Sequence, residues 1–297
     1  MTGRLDTVAV GVVGESRVAR WGRLVAFSHS VFALPFAVMM IGIASRFVSV
    51  SWAQVLLLLV CVVSARTAAM AWNRIVDCEI DRRNPRTAGR ELPSGIVSRI
   101  EAWGLAVLGA VLFLLASALL GKHCAVCAPF VLAVLFSYSF FKRFSSLCHI
   151  VLGIALACAP GGVWYALTGE FSWRPVPLMC GVMCWVAGFD IIYSIQDAEF
   201  DREHGLFSIP SRCGELVARF AAIALHVVAL GALVLNGTIF DLGTFYYIGV
   251  VLFAASVGWQ HVEVARQGPG VISRAFFTRN GVASVALCAA SIVDLWR

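Results

Sequence analysis

The stretch NRIVDCEID, residues 73–81, follows directly on an apolar run that ends at Trp72. It spaces Asn73, Asp77 and Asp81 four residues apart, so in a helix they share one face and form a polar stripe about 12 Å long at ~1.5 Å rise per residue. The chain around it is 60% hydrophobic and 13% charged. In that setting the stripe either faces water at a helix end or serves a site.

Working outward, the apolar residues gather in runs of about twenty, the length that crosses a hydrocarbon core. Nine candidate spans follow, at about 24–45, 52–72, 100–120, 124–141, 148–167, 176–196, 215–236, 242–259 and 280–296. Backbone groups in lipid need internal partners, and the runs lack the alternating pattern of a barrel strand, so the spans are expected to be helices. The fold class is all-α: a polytopic membrane protein whose residues 24–297 form one nine-helix bundle. Residues 1–23 lack the features of a cleaved signal peptide and read as a cytoplasmic tail. The ten cysteines are scattered through apolar segments, where cysteine acts as a small hydrophobe. The pair in HCAVC, residues 123–127, has no further ligands at zinc-site spacings. Arginine and lysine crowd the N-terminus and the even-numbered connections. The positive-inside rule therefore places the N-terminus and those connections in the cytoplasm of a cell inner membrane, and the C-terminus outside.

A second acidic stripe follows the sixth span. In DIIYSIQDAEFD, Asp190, Asp197 and Asp201 are seven and four residues apart and return to nearly one helical face. Two carboxylate rows at one membrane depth would repel if packed together without a cation between them. An all-oxygen donor set suits a hard divalent ion, and Mg²⁺ shared between carboxylates and substrate phosphates fits best. SYSFFKRF brings Lys142 and Arg143 to the same rim, while Arg82, Arg86, Arg90, Arg202 and Arg212 lie in the flanking connections. Acids and bases alternating around one rim suit a diphosphate, whose oxygens take Mg²⁺ on one side and guanidinium or ammonium donors on the other.

NRIVDCEIDRRNPRTAGRELPSG, residues 73–95, resembles the first signature of the UbiA superfamily of intramembrane aromatic prenyltransferases, and DIIYSIQDAEFDREHGLFSIPSRCG, residues 190–214, resembles the second. The likeness extends over essentially the whole chain. It implies a nine-helix prenyltransferase bundle with catalytic cytoplasmic loops at 73–99 and 197–214. It also implies Mg²⁺-dependent ionisation of an allylic polyprenyl diphosphate and joining of its chain to a quinone-precursor ring, for ubiquinone or menaquinone biosynthesis. Membrane lipid is then the surrounding medium, with neither nucleic acid nor an obligate protein partner implied. Carried across the matching motifs, Asn73, Asp77, Asp81, Asp197 and Asp201 serve the metal–diphosphate site, Lys142 and Arg143 lie beside the phosphates, Tyr138 is near the reacting prenyl carbon, and Asp190 is nearer the acceptor or developing cation. The first signature begins NR here where many relatives have ND, so Arg74 replaces one acidic group. The proton displaced from the ring can go to an acidic residue or to released diphosphate.

The acceptor implied is an aromatic hydroxy-carboxylate. The chain resembles 4-hydroxybenzoate polyprenyltransferases, and FSHSVFALPF, SARTAAMAWNRIVD and EHGLFSIPSRCG are closer still to the futalosine-route menaquinone branch, whose acceptor is 1,4-dihydroxy-6-naphthoate. Arg66, seven residues before Asn73, projects from the same side of its helix. It binds the acceptor carboxylate, pairs with an Asp, or snorkels. His29 contacts the acceptor or packs between helices, His204 touches phosphate or fixes its loop, and His149 caps the start of the fifth span. An ion-coupled transporter is the rival outside enzymology, but its acids would lie at the midplane in broken helices. A phosphotransferase that forms phospholipids would carry a DGxxAR signature, which is absent.

Overall fold

The computed structural model describes residues 16–26, 32–268 and 274–296. The described residues are helical apart from their connections. In chain order the helices are α1 (Arg17–Leu24), α2 (Leu34–Ala44), α3 (Trp52–Arg83), α4 (Arg99–Leu120), α5 (Lys122–Phe141), α6 (Cys148–Thr168), α7 (Val176–Ser194), α8 (Ala198–Glu203), α9 (Ile209–Ile239), α10 (Thr244–Gln267) and α11 (Arg274–Leu295). A 3₁₀ turn, Ile195–Asp197, joins α7 to α8.

Local sequence sets several of these boundaries. Ser51 caps α3 and exchanges bonds with Gln54, Ser98 caps α4 and exchanges bonds with Glu101, and Ser208 does the same for α9 with Ser211. Each reciprocal pair satisfies amides that a helix start leaves without partners. Among the described residues seven helices are long and apolar enough to cross a membrane by length and composition: α3 to α6, α7 continued through α8, α9, and α10.

The structure corrects several expected boundaries. The span at 24–45 is not one helix: α1 ends at Leu24, Val25 and Ala26 form a turn, and α2 covers Leu34–Ala44. His29 and residues 1–15 lie outside the described residues. α2 has 11 residues, about 16 Å, half a hydrocarbon core. Conversely α3 does not stop at Trp72. It continues unbroken to Arg83 for 32 residues, so the expected loop 73–99 begins only at Asn84. The expected loop 197–214 is likewise mostly helical, comprising α8 and the first turn of α9, with the chain leaving helical geometry at Gly214.

Two glycines bring the site-bearing helices close. A Cβ on Gly109 would lie 2.8 Å from the Ser64 carbonyl oxygen, so α4 meets α3 backbone to backbone. A Cβ on Gly153 would lie 2.3 Å from the Met183 carbonyl oxygen, which fixes α6 against α7. Small residues permit such approaches where lipid offers no hydrophobic drive between helices. The main core centres on Trp185 of α7, whose ring meets Phe36 of α2 at 5.4 Å and Phe253 of α10 at 5.3 Å. α7 thereby becomes the buried axis of the bundle.

Candidate active site

At the end of the bundle that carries the two acidic stripes lies a polar chamber of about 310 Å³, walled by α3, the 84–90 segment, the end of α5, the start of α6, and α7 through α8 to Ser208. Asn73, Asp77 and Asp81 of α3 all line it, as do Asp190, Asp197 and Asp201 from the opposite wall. Asp77 and Asp81 are each only 4% exposed, and buried carboxylates demand partners.

Those partners are basic. Lys142 Nζ lies 2.9 Å from Asp77 Oδ2, Arg143 Nη2 lies 3.0 Å from Oδ1, and the Asn73 amide donates to Oδ2 at 3.0 Å. Arg90 Nη1 donates to both oxygens of Asp81 at 2.8 Å, with Arg74 Nη1 3.9 Å away. Across the chamber, Asp197 accepts from Arg86 Nε at 2.8 Å and from Asn84 Nδ2 at 2.9 Å. Arg86 also bonds the Tyr193 hydroxyl and lies 4.8 Å over that ring. Burial pushes the pKa of the Arg86 guanidinium down, but its bonds to Asp197 and the nearby Tyr193 outweigh that and hold it above the ordinary arginine value. Asp201 accepts from Ser208 Oγ at 2.9 Å. The Phe207 amide donates to the Lys142 carbonyl at 2.7 Å, fastening the segment after α8 over the α5–α6 connection.

A second, apolar chamber of about 170 Å³ lies deeper, lined by alanine, leucine, valine and cysteine side chains of α3 to α6. Arg66, Met70, Tyr138, Leu152 and Leu156 line both chambers, which therefore meet along that wall. Tyr138 donates to the Ala69 carbonyl at 3.5 Å. Arg66 has one long bond, Nη2 to the Ala26 carbonyl at 3.4 Å, and its buried Nε has no partner. The expected alternative of an Asp partner is not what the structure shows: among the described residues no carboxylate pairs with Arg66.

Arg82, Arg202 and Arg212, basic residues of the flanking connections, and His204, expected to touch phosphate or fix its loop, make local contacts. Arg82 turns outward to Glu79 at 2.7 Å, Arg202 donates to the Ser211 carbonyl at 3.4 Å, and Arg212 sits 3.8 Å over the Phe207 ring. His204 stacks on Phe200 at 4.0 Å and bonds that residue's carbonyl. All four are exposed and none lines the chamber. Arg82 and Arg202 each follow an inward aspartate by one residue, and a helix turns about 100° in that step. Arg74, Asn84, Arg90 and Tyr193 do line it. Arg90 had a sequence signal in its charge, but a non-helical segment gives no period from which to aim it.

The donor set suits a hard divalent cation. Five oxygen-bearing side chains, Asn73, Asp77, Asp81, Asp197 and Asp201, face one chamber, while the Cys148 thiol and His149 imidazole that also line it are engaged by the Phe207 carbonyl and Asp190. Among the described residues no three acids, imidazoles or thiols converge into a closed cage. Mg²⁺ does not need one, since it is commonly held by one or two carboxylates and completed by substrate phosphates and water.

The family model described as "UbiA prenyltransferase family" matches residues 33–282. The chain belongs to the UbiA prenyltransferase family. Its similarity to 4-hydroxybenzoate octaprenyltransferase of Azotobacter vinelandii is 31% identity over 235 residues, 78% of either chain. The enzyme of that name from Pseudomonas entomophila is 33% identical over 214 residues, 71% of either chain. Among solved structures, a UbiA homolog from Aeropyrum pernix K1 is 34% identical with a TM-score of 0.82, covering 90% of this chain and 98% of its own. A UbiA homolog from Archaeoglobus fulgidus bound to GPP and Mg²⁺ shares the fold at 18% identity, with a TM-score of 0.72 over 94% of this chain and 100% of its own.

Proposed function

We propose that this UbiA-family protein transfers a polyprenyl chain from an allylic polyprenyl diphosphate to an aromatic hydroxy-carboxylate, forming a carbon–carbon bond in quinone biosynthesis. One observation carries the reading: a chamber of carboxylates and cations shares the wall of Arg66 and Tyr138 with an apolar chamber. An amphipathic donor with an anionic head and a hydrocarbon tail matches that division.

In this reading Lys142, Arg86 and Arg90 donate to the diphosphate oxygens, Arg143, which does not line the chamber, holds Asp77 in place, and Asp77, Asp81, Asp197 and Asp201, with Asn73, hold Mg²⁺. The metal, when bound, neutralises charge that accumulates on the leaving diphosphate. Tyr138 sits where head and tail chambers meet, beside the carbon that becomes cationic. Its ring offers a π face to that charge. The segments 84–98 and 204–208 cover the chamber and keep water from the cation. Arg66 supplies the unmatched positive charge that an acceptor carboxylate answers. The relatives named for 4-hydroxybenzoate support that acid as the acceptor, while the sequence stretches that resemble the futalosine branch make 1,4-dihydroxy-6-naphthoate its competitor. The basic connections put the chamber on the cytoplasmic side of the inner membrane, with residues 16–23 on that face.

The test is radiolabelled prenyl transfer by purified protein to each acid in turn, with and without a chelator. Transfer to 4-hydroxybenzoate that stops on chelation is expected. Preference for the naphthoate would move the acceptor assignment to the menaquinone branch. Undiminished turnover without a divalent ion would defeat the metal site.

A further inference from the structure

In one corner of the polar chamber His149, in the first turn of α6, meets Asp190 of α7. His149 is 2% exposed, and its Nδ1 lies 2.6 Å from Asp190 Oδ2. On the other side of the ring, the amide of Ile209, the first residue of α9, donates to Nε2 at 3.3 Å. First-turn amides have no partner within their own helix, so this one needs an outside acceptor. An amide hydrogen aimed at Nε2 requires a lone pair there, which leaves the ring proton on Nδ1 and makes that nitrogen the donor to Asp190. One imidazole thus ties together α6, α7 and α9.

This arrangement sets Asp190 apart. Asp77, Asp81 and Asp197 each pair with a guanidinium or ammonium group. Asp190 pairs with this imidazole through Oδ2, and its Oδ1 accepts no hydrogen bond from any described residue. The two oxygens are therefore unequal, one tied and one available.

We propose that His149 is a positioning residue for proton removal, holding Asp190 so that Oδ1 takes the proton displaced from the aromatic acceptor. The proposal rests on the prenyl-transfer reading above. The allylic C–O bond breaks with its electron pair departing on diphosphate, and a ring carbon of the acceptor forms the new C–C bond. The C–H bond at that carbon then returns its electrons to the ring and its proton passes to Oδ1. Asp190 becomes a neutral acid and later yields the proton to water at the rim. His149 transfers no proton: it keeps its Nδ1–H on Oδ2 throughout, because its other nitrogen is occupied by the Ile209 amide.

The experiment compares His149→Leu and His149→Asn with the unaltered protein, using 4-hydroxybenzoate and its 3,5-dideuterated form. Donor hydrolysis without acceptor is measured in parallel. For His149→Leu, kcat for transfer should fall by about tenfold or more, donor hydrolysis should fall far less, and a primary isotope effect absent from the unaltered protein should appear as proton loss becomes limiting. The His149→Asn variant, whose amide nitrogen can stand where Nδ1 stood, should recover most of the rate and lose the isotope effect. Parallel loss of hydrolysis and transfer, with no isotope effect in either variant, would show a merely structural histidine and overturn the proposal. If the Leu variant does not fold, His149→Asn and Asp190→Asn decide it: a normal His149→Asn enzyme beside an Asp190→Asn enzyme with a new isotope effect supports the proposal, and two enzymes free of any isotope effect refute it. Failure of the unaltered protein to transfer to 4-hydroxybenzoate while it still hydrolyses donor would instead sink the acceptor reading, and this inference with it.

Discussion

Replacing Arg66 by Met separates binding from folding. Met keeps an unbranched stem of similar reach against the wall shared by the two chambers but removes the cation. In the protein that cation has one hydrogen bond, 3.4 Å long, and a buried Nε with no partner. Folding therefore gains little from it, and the change should alter stability by less than about 1 kcal/mol in either direction. An acceptor carboxylate bound to the same guanidinium would lose a hydrogen bond to a charged group, worth about 1.5–3 kcal/mol. That corresponds to a rise of about 10- to 150-fold in the acceptor KM, with the donor KM little changed. The assay is prenyl transfer in detergent at varied 4-hydroxybenzoate and fixed saturating donor, beside a thermal unfolding scan of the same preparations. An unchanged acceptor KM together with a clear fall in Tm would refute the reasoning and make Arg66 a structural residue.

Three further outcomes follow from the geometry. Asp77→Asn should lower turnover by about 100-fold or more, because it removes the anion shared by Lys142, Arg143 and the proposed metal; a steady-state assay on a folded preparation checks it, and near-normal kcat would release Asp77 from the site. Gly153→Ala places a Cβ 2.3 Å from the Met183 carbonyl oxygen, so α6 and α7 must part at a cost of about 1–3 kcal/mol, read as a lower Tm; an unchanged Tm would show that the two helices are not so closely held. Arg82→Ala should leave kcat and both KM values within about threefold, since its partners are the exposed Glu79 and the Cys78 sulfur, and a large rise in donor KM would bring it back to the phosphates.

The acidic stripes were legible because they obey a period. Asn73, Asp77 and Asp81 lie on one face of a helix whatever surrounds it, while the second stripe reaches the same chamber although a 3₁₀ turn at Ile195–Asp197 interrupts its helix. Helix ends were less legible, since hydropathy marks where a helix leaves lipid and not where it stops: α3 runs eleven residues past Trp72. The break between α1 and α2 was hidden for the complementary reason, as an apolar run has the same composition whether or not its backbone is continuous. Cations were the hardest to assign. Arg82 and Arg90 have equal charge and both follow Asp81, yet one sits on the outer helix face and the other is returned to Asp81 by a turn after Asn84. The role of His149 depends on an amide 60 residues away, and no local pattern announces that.

The unbroken course of α3 has a mechanical consequence. Cys61, Ala65 and Ala69 line the apolar chamber, while Asn73, Asp77 and Asp81 line the polar one, all on the same rod. From Cys61 to Asp77 is about 24 Å at 1.5 Å per residue, a separation that an uninterrupted helix cannot shorten without kinking. A donor bound in the proposed way would be held at head and tail by one stiff lever, so that tilting of the lever in a thinner or thicker bilayer would move both grips together.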